Sequence, residues 1–239
     1  MNIGIVGYGK MGKEVEKTAI EQSHNIIFIA TCTNELNKNL KSKSIDVIIE
    51  FTTPKSAFQN IQTAINNNIP IVTGTTGWDE KLNEARNLCK EKNGSLIHAS
   101  NFSIGVNLFF YLNRKLAHLM SNFSDYKASI TEIHHKQKID SPSGTAISLA
   151  DSIISKNKNY KNWSSKYSKK STNQLKIKSI RKNNAAGIHD VKYESPIDSI
   201  SVNHTANSRK GFAIGALLAA QWIIGKKGIY TMNDVLNFN

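Results

Sequence analysis

Apolar residues come in short runs over the first hundred positions, with helical spacing between them. The runs are Asn2–Val6, Asn25–Ala30, Ser44–Phe51, Ile69–Thr73 and Gly94–His98. Bounded by Gly, Pro, Asn and Thr, they read as strands. Ser44–Phe51 is nearly continuous, the pattern of a strand buried on both faces of a parallel sheet. Between the runs the spacing predicts a helix with Val15, Ala19 and Ile20 on one side, and others over Ser56–Asn67 and Asp79–Glu91. Strand alternating with helix to about residue 104 predicts a doubly wound, Rossmann-type α/β domain.

After Gly105 the rhythm changes. Val106–Phe123 is a long helical pattern, followed by strand patterns at Ala128–His134, Leu175–Arg181, Asp190–Tyr193 and Ser199–Asn203. This predicts a second, α+β domain with an antiparallel or mixed sheet. Arg209–Gly225 is strongly apolar, with Phe212, Leu217, Trp222 and Ile223, and reads as a buried helix returning to the first domain. The expected division is 1–104 with 210–239, and 105–209. No internal repeat is visible.

Chemistry enters directly after the first run, where Gly7-Tyr8-Gly9-Lys10-Met11-Gly12 opens a helix. Strand, G-x-G-x-x-G, helix is the setting that a dinucleotide fingerprint requires. Gly7 suits the tight turn, Gly9 the approach of the pyrophosphate to the backbone, and Gly12 close packing of helix on strand. The second strand ends at Thr31 and Cys32, where an acid would grip the adenosine ribose, and no carboxylate follows until Glu35. With Lys38, Lys41 and Lys43 just beyond, NADPH, NADH or both remain open as cofactor. Gly74-Thr75-Thr76-Gly77 and Ala99-Ser100-Asn101-Phe102 follow later strands, at the edge where a nicotinamide lies in such sheets.

The second constellation is Thr131–Ala146, with His134, His135, Lys136 and Lys138 ahead of Ser143-Gly144-Thr145. Neighbours on a strand point to opposite faces, so the two histidines do not share one role. Pro142 stops the strand, and Ser143-Gly144-Thr145 starts a helix over Ala146–Ile154. The free N–H groups of a helix start and two hydroxyls make a seat for a carboxylate or phosphate. Cations and a titratable histidine beside that seat suggest a small acid substrate.

Charge changes this picture little. The chain of 239 residues carries a net +13. Ten basic residues and no acid lie between Ser155 and Lys182, including Lys169 and Lys170. That Asn/Ser/Lys-rich stretch reads as a solvated, mobile loop without apolar anchors. No aromatic-basic motif supports nucleic-acid binding, and no run reaches the ~20 apolar residues of a membrane span. With only Cys32 and Cys89 and no signal peptide in view, a reducing cytoplasm is expected. No metal-ligand spacing stands out.

With these residues in hand, the chain resembles the 4-hydroxy-tetrahydrodipicolinate (dihydrodipicolinate) reductase family of lysine and diaminopimelate biosynthesis. The carriers are Gly7–Gly12, Asp46–Pro54, Gly74–Gly77, Ala99–Gly105, Glu132–Ala146, Arg181–His189 and His204–Ala216. The most specific is Glu-x-His-His-x-x-Lys-x-Asp-x-Pro-Ser-Gly-Thr-Ala. The resemblance implies NAD(P)H reduction of a cyclic dicarboxylate by a homotetramer built through the second domain's sheet. It implies catalytic roles for His134 and Lys138 and substrate contacts at His135, Ser143, Gly144 and Thr145. Cofactor contacts fall on Gly7–Gly12, Gly74–Thr76 and Ala99–Phe102; Thr31 is a candidate contact from its place at the end of the second strand alone. The family's Arg-x-Gly and Gly-Glu-His are here Arg181-Lys-Asn183 and Gly187-Ile-His189, which weakens the case for a role at Arg181 or Asn183. Hydride donor and acid seat on different domains would make closure between them part of turnover.

Two other classes share the pattern. Another two-domain NAD(P) dehydrogenase is one, although a semialdehyde dehydrogenase needs an activated cysteine that neither Cys32 nor Cys89 resembles. A non-catalytic nucleotide sensor is the other, and it would have no use for His134 and Lys138 together.

Overall fold

The computed structural model describes residues 1–40, 44–166, 173–183 and 185–238. Lys41, Lys43, Lys169 and Lys170, all within the basic stretches of the sequence, lie outside the described residues. The chain divides into two compact units, Met1–Ile104 with Arg209–Asn239, and Gly105–Ser208.

The first unit begins β1 (Asn2–Val6), α1 (Lys10–Glu21), β2 (Asn25–Ala30), α2 (Thr33–Leu40), β3 (Val47–Glu50), α3 (Pro54–Asn66), β4 (Ile71–Thr73), α4 (Leu82–Glu91) and β5 (Ser95–His98). The second contributes α5 (Ile104–Met120), β6 (Lys127–His134), α6 (Gly144–Lys156), β7 (Asn162–Ser164), β8 (Gln174–Arg181), β9 (Ile188–Glu194) and β10 (Ser199–Thr205). The chain then returns to the first unit with α7 (Lys210–Ile223), β11 (Gly228–Tyr230) and α8 (Met232–Val235).

The first sheet has the order β11-β5-β4-β3-β1-β2, and every pair is parallel. Val47, Ile48, Ile49 and Glu50 of β3 are all buried, as an unbroken apolar run between helices requires. One face carries Ile3, Ile5 and Ile49 against Val15 and Ala19 of α1 and Ala213, Ala216, Leu217 and Ile223 of α7. The other carries Ile48 and Ile71 against Ala57, Ile61 and Ile65 of α3 and Ala85 of α4. Because β1 leads to β2 on one side and β3 lies on its other side, the strand order reverses between β1 and β3.

Three expectations change here. Ile20 is exposed, because the buried line of α1 is Gly12, Val15, Thr18 and Ala19, and Ile20 stands about 100° further round the helix. α2 was not anticipated, since among its polar residues only Leu36 and Leu40 mark a helical face. β11, a three-residue edge strand on β5, has no period to read.

In the second unit the sheet runs β10-β9-β6-β8-β7. Central β6 is parallel to β8 and antiparallel to β9, so the sheet is mixed. Ala128 and Ile130 of β6, Leu175 and Ile177 of β8, and Val191 and Tyr193 of β9 meet Phe109 and Ala117 of α5 and Leu149 and Ile153 of α6. The basic stretch is not a solvated loop throughout its described part. Tyr160 is buried and its hydroxyl accepts the Ala128 N–H at 2.7 Å, while β7 pairs with β8 and Trp163 packs on the core. Composition concealed these anchors, because lysines on alternate β8 positions (Lys176, Lys178) face away from Leu175 and Ile177.

Candidate active site

Alternation along β6 turns Ala128, Ile130, Glu132 and His134 to the buried face. Register then places His189 of β9 and Ser179 of β8 beside Glu132, and Arg181 beside His134. A carboxylate with no exposed surface therefore lies among cationic and titratable partners. Glu132 Oε2 accepts the Nδ1–H of His134, and its Oε1 accepts from Arg181 at 2.8 Å. Arg181 also donates to the Asp140 carbonyl at 2.6 Å, and Lys138 pairs with the Asp140 carboxylate at 2.8 Å. Lys138, Asp140, Arg181, Glu132 and His134 thus form one connected set.

With Nδ1–H held by a carboxylate, the lone pair of His134 is on Nε2. Gly187 gives it room: a Cβ there would come within 3.2 Å of that atom. Burial alone would raise the Glu132 carboxyl, but hydrogen bonds from Arg181, Ser179 and His134 hold it below its ordinary value. Burial lowers His134, against the opposing pull of Glu132. His189 stands edge-on to His134, ring centres 5.0 Å apart, and its Nε2 meets Ser143 Oγ at 3.1 Å. Glu132, His134 and His189 offer atoms within 4.8 Å of one another, the spacing of a metal group. Both Glu132 oxygens are already used, however, and a cation there would meet the Arg181 guanidinium.

Burial, then the neighbouring His134, pushes His189 down to about 4 from an ordinary 6.5. Unfolded His189 takes up a proton near 6.5 that the folded chain refuses until about pH 4, so stability falls as pH falls through that window. The loss is about 3 kcal/mol by pH 4. Urea unfolding of the wild type and His189→Asn from pH 7 to 4 should show their stability difference shrinking by that amount. Parallel curves would remove His189 as the source.

The remaining expected substrate contacts sort differently. His135 follows β6 on the opposite side from His134, and its Nδ1 is buried without a hydrogen-bond partner among the described residues. Ser143 caps α6, accepting from the Ala146 N–H at 3.2 Å, and is buried with His189, so its hydroxyl is already committed. Gly144 faces open space and Thr145 is partly exposed in the first turn. Glu132, Arg181 and His189 were not singled out from the sequence. The spacing of Glu132 and His134, two residues apart on a strand, was the available signal. Asn183 in place of the family's Gly, and Ile188 in place of its Glu, obscure Arg181 and His189 in the sequence.

In the first unit the expected cofactor residues lie at the carboxyl ends of β1, β2, β4 and β5, in loops except for Lys10, Met11 and Gly12 in the first turn of α1. Gly7 has φ +95° and a Cβ there would strike the Phe51 carbonyl oxygen at 2.0 Å; at Gly12 it would strike that of Gly7 at 2.0 Å. Nothing lies within 4 Å of a Cβ at Gly9, and no side chain caps α1. Bare N–H groups and an open glycine beside the strand-order reversal fit a dinucleotide pyrophosphate. Tyr8 donates to Glu16 at 2.5 Å, Lys10 is exposed, Met11 packs on the core, and Phe102 is buried there. Ala99, Ser100 and Thr76 border open edges, whereas Thr75 is buried.

At the end of β2, where the ribose is expected, the structure adds an acid. Glu35, in the first turn of α2, folds back so that its Oε2 accepts the Thr31 N–H at 2.7 Å and the Thr31 hydroxyl at 2.9 Å. Those bonds hold its carboxyl below the ordinary value. An acid does stand at the end of β2, supplied from four residues along the chain by the helix that the periodicity missed.

Both units have known relatives. Family models described as dihydrodipicolinate reductase, N-terminus and C-terminus, match residues 1–102 and 105–236. A 4-hydroxy-tetrahydrodipicolinate reductase of Christiangramia forsetii is 47% identical over 237 residues, covering 99% of this chain and 98% of that one. One from Pelagibacter ubique is 35% identical, covering 100% and 98%. Among solved structures, a dipicolinate-bound dihydrodipicolinate reductase from Paenisporosarcina sp. TG-14 has a TM-score of 0.75 at 24% identity, covering 97% of each chain, and shares the fold. The chain belongs to the dihydrodipicolinate reductase family.

Proposed function

We propose that this protein reduces 4-hydroxy-tetrahydrodipicolinate to tetrahydrodipicolinate with NAD(P)H, in lysine and diaminopimelate biosynthesis. The reaction gains a hydride and a proton and loses water. The observation that carries the reading is the buried Glu132 joining His134 to Arg181, with Lys138 one ion pair away. The first unit holds the dinucleotide through Gly7–Gly12, Gly74–Thr76 and Ala99–Phe102, and the nicotinamide supplies the hydride when bound. In the second unit Lys138 donates the proton and assists loss of water, while His134, fixed by Glu132, orients the substrate and relays protons at Nε2. Cations attract the substrate's carboxylates, and the first turn of α6 at Gly144 and Thr145 seats one of them. Consumption of NADH and NADPH, with substrate generated in situ from aspartate semialdehyde and pyruvate, tests the reading. Cofactor binding without turnover would sink it.

Glu35 supports a preference for NADH. Its carboxylate at Thr31 accepts from a ribose 2′-hydroxyl and repels a 2′-phosphate. Glu35→Gln should lower the NADPH KM by about tenfold relative to that of NADH. An unchanged ratio would show that the cations beyond α2 set the choice instead.

The remaining assignments are a homotetramer and a cytoplasmic location. Support for assembly through the second sheet is the outermost strand β10, mostly exposed and carrying exposed Ile200. Sedimentation should give four times the 26.6 kDa chain mass. Among the described residues no helix is long and apolar enough to cross a membrane, and Cys32 and Cys89 are free.

A further inference from the structure

Glu50, the last residue of β3, has no exposed surface and takes no part in the Glu132–His134 set. It stands at the carboxyl edge of the first sheet, where the strand order reverses. Its Oε2 accepts from the Thr73 hydroxyl; its Oε1 accepts from the Thr52 hydroxyl, the Thr52 N–H at 3.0 Å and the Thr75 hydroxyl at 2.9 Å. The other partners of the Thr52 hydroxyl fix its direction. The Thr52 oxygen already accepts from Ser56 at 3.0 Å and Asn60 at 3.3 Å, so its proton must point to Glu50 Oε1, which also accepts the Thr52 N–H and carries no proton of its own. The surroundings of both oxygens, hydroxyls and one N–H, suit a carboxylate anion. No cation pairs with it among the described residues.

An ion buried among neutral donors is costly unless its charge is used. The donors that hold it belong to Phe51-Thr52 after β3 and Gly74-Thr75 after β4, and Gly74-Thr75-Thr76 is the nicotinamide loop of the proposed function. We infer that Glu50 is a positioning residue whose buried charge joins these two loops and favours the oxidised, cationic nicotinamide over the reduced, neutral one. The inference rests on the proposed use of NAD(P)H. A negative charge near the ring assists hydride donation, because positive charge grows on the ring as the hydride leaves. Hydroxyl donors suit this purpose, since a paired lysine or arginine would cancel the field.

The test is binding, without substrate. Affinities for NAD⁺ and NADH are measured by calorimetry for the wild type, Glu50→Gln and Thr73→Val, each checked for folding by thermal unfolding. Glu50→Gln keeps the shape and removes the charge; its carbonyl can take the Oε1 place beside the Thr52 donors, and the Thr73 hydroxyl can turn to accept from its amide. NAD⁺ should lose about tenfold more affinity than NADH, the order expected for removing one buried charge from the surroundings of a cation. Thr73→Val removes a hydrogen bond and keeps the charge, so its NAD⁺/NADH ratio should match the wild type. Equal losses of both nucleotides in Glu50→Gln would overturn the inference and leave a purely structural hub. A shift of the ratio in Thr73→Val as large as that in Glu50→Gln would overturn it too. If the wild type binds neither nucleotide, the proposed function fails first.

Discussion

Lys138→Ala is expected to lower kcat by about 10²–10³-fold, the range for removing a general acid. The ammonium is tied to Asp140 in a turn after β6, where the Lys138 N–H donates to the His135 carbonyl at 3.1 Å. Asp140 is more than half exposed, so losing this partner costs little stability, and the variant should unfold within a few degrees of the wild type. Lys138→Arg separates two duties of the side chain. A guanidinium attracts carboxylates and surrenders no proton near neutrality. It should restore KM and leave kcat low. Full activity in Lys138→Ala would pass the proton donor's role to His134.

Glu132→Gln should be nearly as damaging, by a different route. A glutamine that keeps its carbonyl on Arg181 presents an N–H to His134 Nδ1, which drives the ring proton to Nε2. The atom expected to relay protons is then blocked, and kcat should fall by about 10²-fold or more. Arg181 also loses its buried counter-charge, at a cost of about 3 kcal/mol. The direction of titration provides a second readout. Glu132 raises His134 against the burial that lowers it, so its loss lets the His134 pKa fall further. The acid limb of the rate profile should move to lower pH. A limb that stays in place would detach His134 from that limb.

Most of the fold was legible because its signals are local. β1 to β4 are runs rich in Ile and Val between turn residues, and the glycine loop follows the first of them. The second unit's alternation was equally plain in Ala128–His134. What escaped depends on contacts distant in sequence. β11 exists because Gly228–Tyr230 meets Ser95–Ile97 across more than a hundred residues, and Tyr160 is an anchor because it reaches Ala128. The site divides in the same way. His134, Lys138 and Ser143 sit in one stretch and could be read together. Arg181 and His189 join them only through the β6–β8 and β6–β9 registers, which a linear reading does not supply.

The late return of α7 and β11 bears on how the protein is made. The helix that covers one face of the first sheet, and the strand that closes its edge, leave the ribosome only after the whole intervening unit. At ordinary synthesis rates that interval is on the order of 10 s. Throughout it the nascent sheet shows Ile3, Ile5 and Ile49 without their cover from α7. The second unit is contiguous and has no such wait. The part of the chain that begins first is therefore the part that finishes last, and its half-built sheet is the species on which chaperones would act.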